Sequence, residues 1–335
     1  MNAGPCPYCH SLRTTKKGVR KTKLHSRQVY FCTSCGRRFT TSPLPSFTYT
    51  AEAVLTSPVL FCLGYTLPQI HRSICSRFKI SPSLSTVARW IAEFGRRTGA
   101  KSWRDEIILF SKPFAIIRRR IFKHHQNYLF QLHCFKHKKL LSSYPALAAY
   151  LDALAAGKIS IVPESFALRA STQTLGLNIS VPKAEKTYEC NAAGIALLAA
   201  KTNYHRHAIL QRYLLATDRH TVAVEVPVYL EAQETRGILG IDGGLLGHID
   251  FLQVFGSTVV VLDYKPRAAS SKLAAEQLLL YAIALSRRTN VHLKQIQCAW
   301  FDENNYYRFP AMAGYSLLKT VRAYNRHLGA SITCS

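Results

Sequence analysis

Acidic residues are scarce in this chain: 18 Asp and Glu stand against 44 Lys and Arg in 335 residues, a formal charge of +26. So few acids exclude the acid-rich surface of a halophilic protein. Long apolar runs are missing too. The longest, Ala192–Ala200, falls far short of the roughly 20 residues a bilayer demands, and no signal peptide or lipidation motif is visible. The positive charge is therefore read as serving a polyanion, with no membrane partner. Internal repeats and low-complexity tracts are also lacking, and the length leaves room for two or three domains.

The charge is unevenly placed. Residues 1–150 hold 25 Lys and Arg against 4 Asp and Glu, a net of +21, whereas residues 151–335 hold 19 against 14, a net of +5. One half is suited to holding a polyanion and the other to chemistry on it, and DNA is the expected partner. Ten cysteines in a chain read as cytoplasmic call for metal before disulfide. Four are paired as Cys6-Pro-Tyr-Cys9 and Cys32-Thr-Ser-Cys35, the spacing at which two knuckles present four thiolates to one structural Zn²⁺; a chance pair of redox dithiols is the alternative. Cys62, Cys75, Cys134, Cys190, Cys298 and Cys334 are scattered and read as buried, unreactive thiols.

A proline- and serine-rich connector at residues 41–46 leads into helical sequence at 51–62, 67–78 and 86–94, with a tight turn before the last. That is helix-turn-helix grammar. The third helix would present Ser83, Ser85, Thr86 and Arg89 to a major groove while Val87, Trp90, Ile91 and Phe94 pack inward; a purely structural three-helix module is the alternative. The run Cys32–Thr40, which contains Arg37 and Arg38, together with Gly64–Ile70 and Ser85–Ile91, resembles the N-terminal zinc ribbon and helix-turn-helix of insertion-sequence transposases. Such proteins continue into a DDE catalytic domain; this chain does not.

Residues 99–190 read as a basic helical linker region. Arg118, Arg119 and Arg120, followed by Ile-Phe-Lys-His-His125, and the run Phe135–Lys139 interleave base with aromatic as backbone-binding surfaces do, although a solvated helix face would look the same. From Ser143 to Ala156 the sequence is alanine- and leucine-rich and helical.

Farther on, two acids and a lysine close neighbouring apolar runs: Gly247-His-Ile-Asp250 and Val259-Val-Val-Leu-Asp263-Tyr-Lys265. Hard divalent cations need carboxylate oxygens, and a lysine beside them can orient a water or offset charge on a phosphate. Asp263 and Lys265, two apart, share one strand face. With Glu225-Val-Pro-Val before them and Gln277-x-x-x-Tyr281 after, these features stand in the order found in the PD-(D/E)XK nuclease superfamily, which the segment resembles in its RecB-like branch. The resemblance implies Asp250 and Asp263 as ligands of Mg²⁺ or Mn²⁺, Lys265 as the catalytic lysine, Glu225 facing the site, and Gln277 and Tyr281 near the substrate. It also implies a histidine ligand on an upstream helix, for which His207 is favoured over His205. Asp242 could replace Asp250 as the ligand, Glu225 could serve a structural ion pair, His207 could bind phosphate, and Tyr281 could be core. Some members carry an iron–sulfur cluster, but Cys298 and Cys334 stand alone and none is expected.

The architecture expected is an α/β nuclease core, a restriction-endonuclease-like mixed sheet flanked by helices, at residues 191–335. It would follow a zinc ribbon at 1–42, an all-α helix-turn-helix at 48–98 and the linker at 99–190. The function expected is metal-dependent DNA cleavage in a protein of a mobile element, virus or plasmid. The rivals are a DNA-binding regulator with a decayed nuclease fold and an accessory protein of recombination.

Overall fold

The computed structural model of the chain describes residues 5–6, 8–9, 11–21, 26–40, 49–97, 103–124, 126–159, 161, 166–184, 187–200, 202, 205–271 and 273–332. The connector at 41–46 and Cys334 lie outside them. No described helix is long and apolar enough to cross a membrane.

The N-terminal unit is a three-stranded antiparallel sheet, β1 (Thr14–Lys21), β2 (Ser26–Cys32) and β3 (Arg38–Thr40). Its apolar core is small. Tyr30 and Phe39 stack at 5.8 Å beside buried Cys6 and Cys32, too little burial to hold so short a module by itself.

Three helices follow, α1 (Ala51–Cys62), α2 (Leu67–Phe78) and α3 (Leu84–Arg97), each started by local capping. Thr50 accepts from the Ala53 amide, Gln69 accepts from the Thr66 amide, and Ser83 accepts from the Thr86 amide. These caps satisfy donors that the first helical turn leaves open. Lys79, at φ 53°, ends α2. Val54, Leu55, Ile70, Ile74, Val87, Trp90, Ile91 and Phe94 form one core. The far end of α1 belongs elsewhere: Val59, Cys62 and Leu63 pack into the same cluster as Leu210, Tyr213 and Leu214 of the α/β core, so the helical module is docked on it.

The elements of the α/β core run α4 (Arg104–Phe110), β4 (Ile117–His124), β5 (Gln126–His133), α5 (Cys134–Leu140), α6 (Pro145–Ala156), β6 (Leu168–Arg169), β7 (Lys183–Ala184), α7 (Tyr188–Ala196), α8 (Arg206–Thr217), β8 (Thr221–Leu230), α9 (Ala232–Leu239), β9 (Leu245–Phe255), β10 (Thr258–Tyr264), α10 (Ala274–Thr289), β11 (Ile296–Phe301), β12 (Tyr306–Pro310) and α11 (Ala311–Ile332). The sheet order is β4-β5-β8-β9-β10-β11-β12-β7, with β6 beside β9. It is mixed. The pairs β10–β11 and β6–β9 are parallel and the rest antiparallel. α10 makes the crossover between β10 and β11, and the apolar run of β10 is what a strand covered on both faces requires. α6 and α10 cover one face; α7, α8 and α1 cover the other.

The reading of residues 99–190 as a helical linker is overturned. β4 and β5 form an antiparallel pair whose second strand pairs with β8, and α6 packs into the main core, so the sheet begins well before residue 191. Three consecutive arginines hid the alternation. Phe122, Phe130 and Leu132 point into the core, while Arg119, Ile121 and Leu129 are paired or alternate on the other face.

A buried lysine ties the continuation of β5 to the site-bearing elements. Lys136 of α5 donates to the carbonyls of Leu215 (2.6 Å), Thr221 (3.2 Å) and Asp218, holding the turn from α8 into β8, and burial pulls its ammonium down to about 8. Lys136→Met is expected to lower stability by about 2–4 kcal/mol, measured by urea denaturation, because three carbonyls lose a charged donor without gaining water.

Candidate active site

The three central strands place one carboxylate each in a row. Val224 pairs with Phe251 and Val226 with Ile249, so Glu225 stands opposite Asp250; Leu262 pairs with Phe251, so Asp263 stands opposite Asp250 on its other side. A regular pleat would send residues two apart to one face. Here Val224 and Phe251 pack under α8 while Val226 and Ile249 pack in the opposite core. The alternation is broken at Glu225, whose φ is +50°. A left-handed residue with a side chain costs about 1–3 kcal/mol and persists only when its surroundings enforce it. The break turns the acids toward a common cleft.

The cleft of about 940 Å³ contains Glu225, Asp250, Asp263 and Lys265, together with His207 and Gln211 from α8 and Gln277 and Tyr281 from α10. Asp250 Oδ2 lies 3.2 Å from His207 Nδ1 and accepts from the Tyr264 amide at 3.1 Å. Lys265 Nζ makes an ion pair with Asp263 at 2.7 Å and donates to Gln277 Oε1 at 2.9 Å, and Gln277 Nε2 donates to the Tyr281 hydroxyl at 2.6 Å. Gln211 Nε2 donates to Glu225 Oε1 at 2.7 Å. These bonds make a continuous polar line from Asp263 into α10, with Asp250 anchored to α8.

Burial raises Asp263 well above the usual carboxylate range, with the neighbouring Asp250 adding to it and Lys265 opposing. Burial acts equally on Asp250, but hydrogen bonds from His207 and Asp263 outweigh it and hold that carboxyl below its usual range. Glu225 is pushed up to about 7 by burial and by Asp250. His207 is raised, the Asp250 carboxylate overcoming the burial penalty on the imidazolium. Ionised together, the three carboxylates would carry more negative charge than Lys265 and His207 offset, and that mutual repulsion adds to burial in raising Asp263 and Glu225. Carboxylate oxygens are the donors a hard divalent cation takes, so Asp250 and Asp263 are the residues that could hold one, with Glu225 and His207 beside them; among the described residues only the four N-terminal cysteines bring three or more ligand atoms within 4.8 Å of one another.

The alternatives to these residues fall elsewhere. Asp242 is exposed and paired with Arg236 at 2.6 Å, and His205, which also lines the cleft, is bonded to Thr202 at 2.7 Å. Gly247 has a steric reason: a Cβ there would overlap the Tyr281 ring and meet Ala170 Cβ at 3.2 Å. Gly247→Ala is expected to cost about 1–3 kcal/mol and, by displacing Tyr281 and Gln277 from Lys265, to reduce turnover by a factor on the order of 10². Denaturation and cleavage assays on the same preparation separate the two effects.

Strand geometry divides the three arginines read as one DNA-binding run. Arg119 lines the cleft and bonds Gln131 Oε1 at 3.3 Å. Arg118, one residue away and therefore on the other face, pairs with Asp152 of α6 at 2.7 Å, and Arg120 lies against Gly157. The run as a single surface is thus corrected to Arg119 alone at the cleft. Tyr128, stacked on His248 at 3.5 Å, and Arg169 were hidden by the linker reading, and Arg77 and Arg212 carried no signal that set them at the cleft. Only Gln211, at helical spacing from His207, carried a legible signal.

At the N-terminal end, Cys6, Cys9, Cys32 and Cys35 bring their sulfurs within 4.8 Å of one another, with Cys6–Cys35 at 3.7 Å and Cys9–Cys32 at 3.5 Å. Zn–S bonds of about 2.3 Å in a tetrahedron require S···S separations of about 3.8 Å, so this set fits Zn²⁺. Arg37 and Arg38 beside it are exposed, Arg37 lying over Tyr8. On α3, Ser85 and Arg89 are exposed and Thr86 half-buried. The Ser83 hydroxyl is engaged locally with Thr86 and Ser85.

Residues 180–313 match the family model of the PD-(D/E)XK nuclease superfamily, a stretch that spans β7 through β12 and holds all three carboxylates and Lys265. The mixed sheet flanked by helices is accordingly a restriction-endonuclease-like core. No curated protein and no solved structure matches the chain.

Proposed function

We propose that the chain is a Mg²⁺- or Mn²⁺-dependent deoxyribonuclease that hydrolyses phosphodiester bonds in the cleft between α8, α10 and the central strands. The observation that carries the reading is the row Glu225, Asp250, Asp263 across three adjacent strands with Lys265 ion-paired at its end. When bound, the cation supplies positive charge at the phosphate and acidifies the attacking water. Asp250 and Asp263 would hold it. Lys265 donates to the incoming water or to a phosphate oxygen as charge builds there, and Gln277, itself held by Tyr281, keeps the ammonium aimed. Water gives up a proton as its oxygen bonds to phosphorus, the bond to the leaving strand's oxygen breaks, and that oxygen takes up a proton from solvent, so one water is consumed for each bond cut. Arg206, which bonds the Tyr264 hydroxyl at 3.0 Å and pairs with Glu303, braces the ring against which His207 packs.

The N-terminal modules are read as DNA-binding: a zinc ribbon carrying Arg37 and Arg38, and a helix-turn-helix presenting Ser85, Thr86 and Arg89 on α3. Because α1 shares a core with α8, deleting the helical module would damage the catalytic half, and point substitutions on α3 are the cleaner probe. The deciding experiment is incubation of purified protein with linear, circular and single-stranded DNA, with and without Mg²⁺ or Mn²⁺. Cation-dependent cleavage of any form is expected; no cleavage of any form would give the lead to a non-catalytic DNA-binding regulator.

A further inference from the structure

Arg77, in the last turn of α2, and Arg212, on α8, line the same cleft although they lie in different modules. Burial pulls the Arg212 guanidinium below its usual range, and the neighbouring charge of Arg77 adds to that, with Glu52 opposing. Glu52 pairs with Arg77 at 3.4 Å. Among the described residues Arg212 has no hydrogen bond or ion pair. A half-buried guanidinium brings five donors in a planar fork. Placed beside a second guanidinium, with one carboxylate between the two, it forms a surface whose unmet demand is for an anion, and a phosphodiester satisfies such a fork bidentately.

Arg212 also shares a helix with the residues that reach the acids. Arg212 follows Gln211, the residue that holds Glu225, and lies five residues, about 7.5 Å of helix, beyond His207. We propose that Arg77 and Arg212 form a phosphate subsite that grips the substrate strand beside the scissile bond. The inference rests on the nuclease reading of the cleft. It makes the helical module part of the catalytic cleft, and because Val59, Cys62 and Leu63 lock α1 onto α8, cutting falls at a constant distance from whatever α3 contacts.

The test is fluorescence anisotropy with a short labelled single strand and the matching duplex, in Ca²⁺ to suppress turnover, across a salt series. Arg212→Ala is expected to weaken binding by about 5- to 50-fold and to reduce the log–log salt slope by about 0.7–0.9, one phosphate contact. Arg212→Gln, of similar length and neutral, should do the same if the alanine variant misfolds. Arg77→Ala should show the same loss, and the double variant less than the product of the two, because both residues hold one phosphate. A slope unchanged in both Arg212 variants, with the parent still binding and cutting, would overturn the subsite and leave the nuclease reading intact. Multiplicative losses in the double variant would also overturn it. A parent that neither binds these probes nor cuts with Mg²⁺ or Mn²⁺ would overturn both.

Discussion

Asp263→Ala and Asp250→Ala are each expected to abolish metal-dependent cleavage, a loss on the order of a thousandfold or more, because each removes a carboxylate from a buried site whose other groups cannot replace it. Lys265→Ala should lose turnover to a similar degree by a different route. Its ammonium lies 2.7 Å from Asp263 and 2.9 Å from Gln277, inside the polar line but outside the carboxylate row. Mn²⁺ affinity, measured calorimetrically, should therefore collapse in the aspartate variants and survive in the lysine variant while cleavage falls in all three. Removing the lysine even relieves a competitor for Asp263. An Asp263→Ala protein that cuts as fast as the parent under the same cation would move the active site elsewhere; loss of Mn²⁺ binding in Lys265→Ala would make that lysine a structural partner of the ligands. DNA binding through the zinc ribbon and α3 should persist throughout, since neither contributes to the cleft that holds these side chains.

The second large effect concerns the cysteine cluster. Native mass spectrometry is expected to find one Zn²⁺ per chain, absent after Cys32→Ser. Structural Zn²⁺ contributes about 10–16 kcal/mol to such modules, far more than Tyr30, Phe39 and the buried sulfurs can supply by packing. Chelation should consequently unfold residues 5–40 while amide exchange in β8–β10, whose strands are buried on both faces, stays slow. A stoichiometric iron–sulfur chromophore in place of zinc would refute the assignment. Uniform exchange throughout the chain on chelation would show that the ribbon holds up the whole molecule rather than itself.

The order of the chemistry was legible in the sequence. Asp250, Asp263 and Lys265 end apolar runs short enough to be strands, and the period-two rule already places Asp263 and Lys265 on one face. Cys6, Cys9, Cys32 and Cys35 are likewise a local signal, since knuckle spacing is dictated by one ion's tetrahedron. The capped helices at 51–62 and 67–78 carry their own start and stop residues. Tertiary structure alone decided the rest. Arg118, Arg119 and Arg120 read identically on a helix, a strand or a linker, because charge conveys no period when every position bears it; only pairing with β5 sorts Arg119 to the cleft and Arg118 to Asp152. Nothing local marks Glu225 for a left-handed backbone, which its valine neighbours oppose and only the surrounding sheet can enforce. The sequence favoured His207 over His205, but the 3.2 Å approach of His207 to Asp250 is set by how α8 packs on the sheet. Arg77 reaches the cleft only because a core far from it joins α1 to α8. Periodicity and ligand spacing act between near neighbours, whereas the wall of this cleft is assembled from residues more than a hundred positions apart, whose meeting is set by packing.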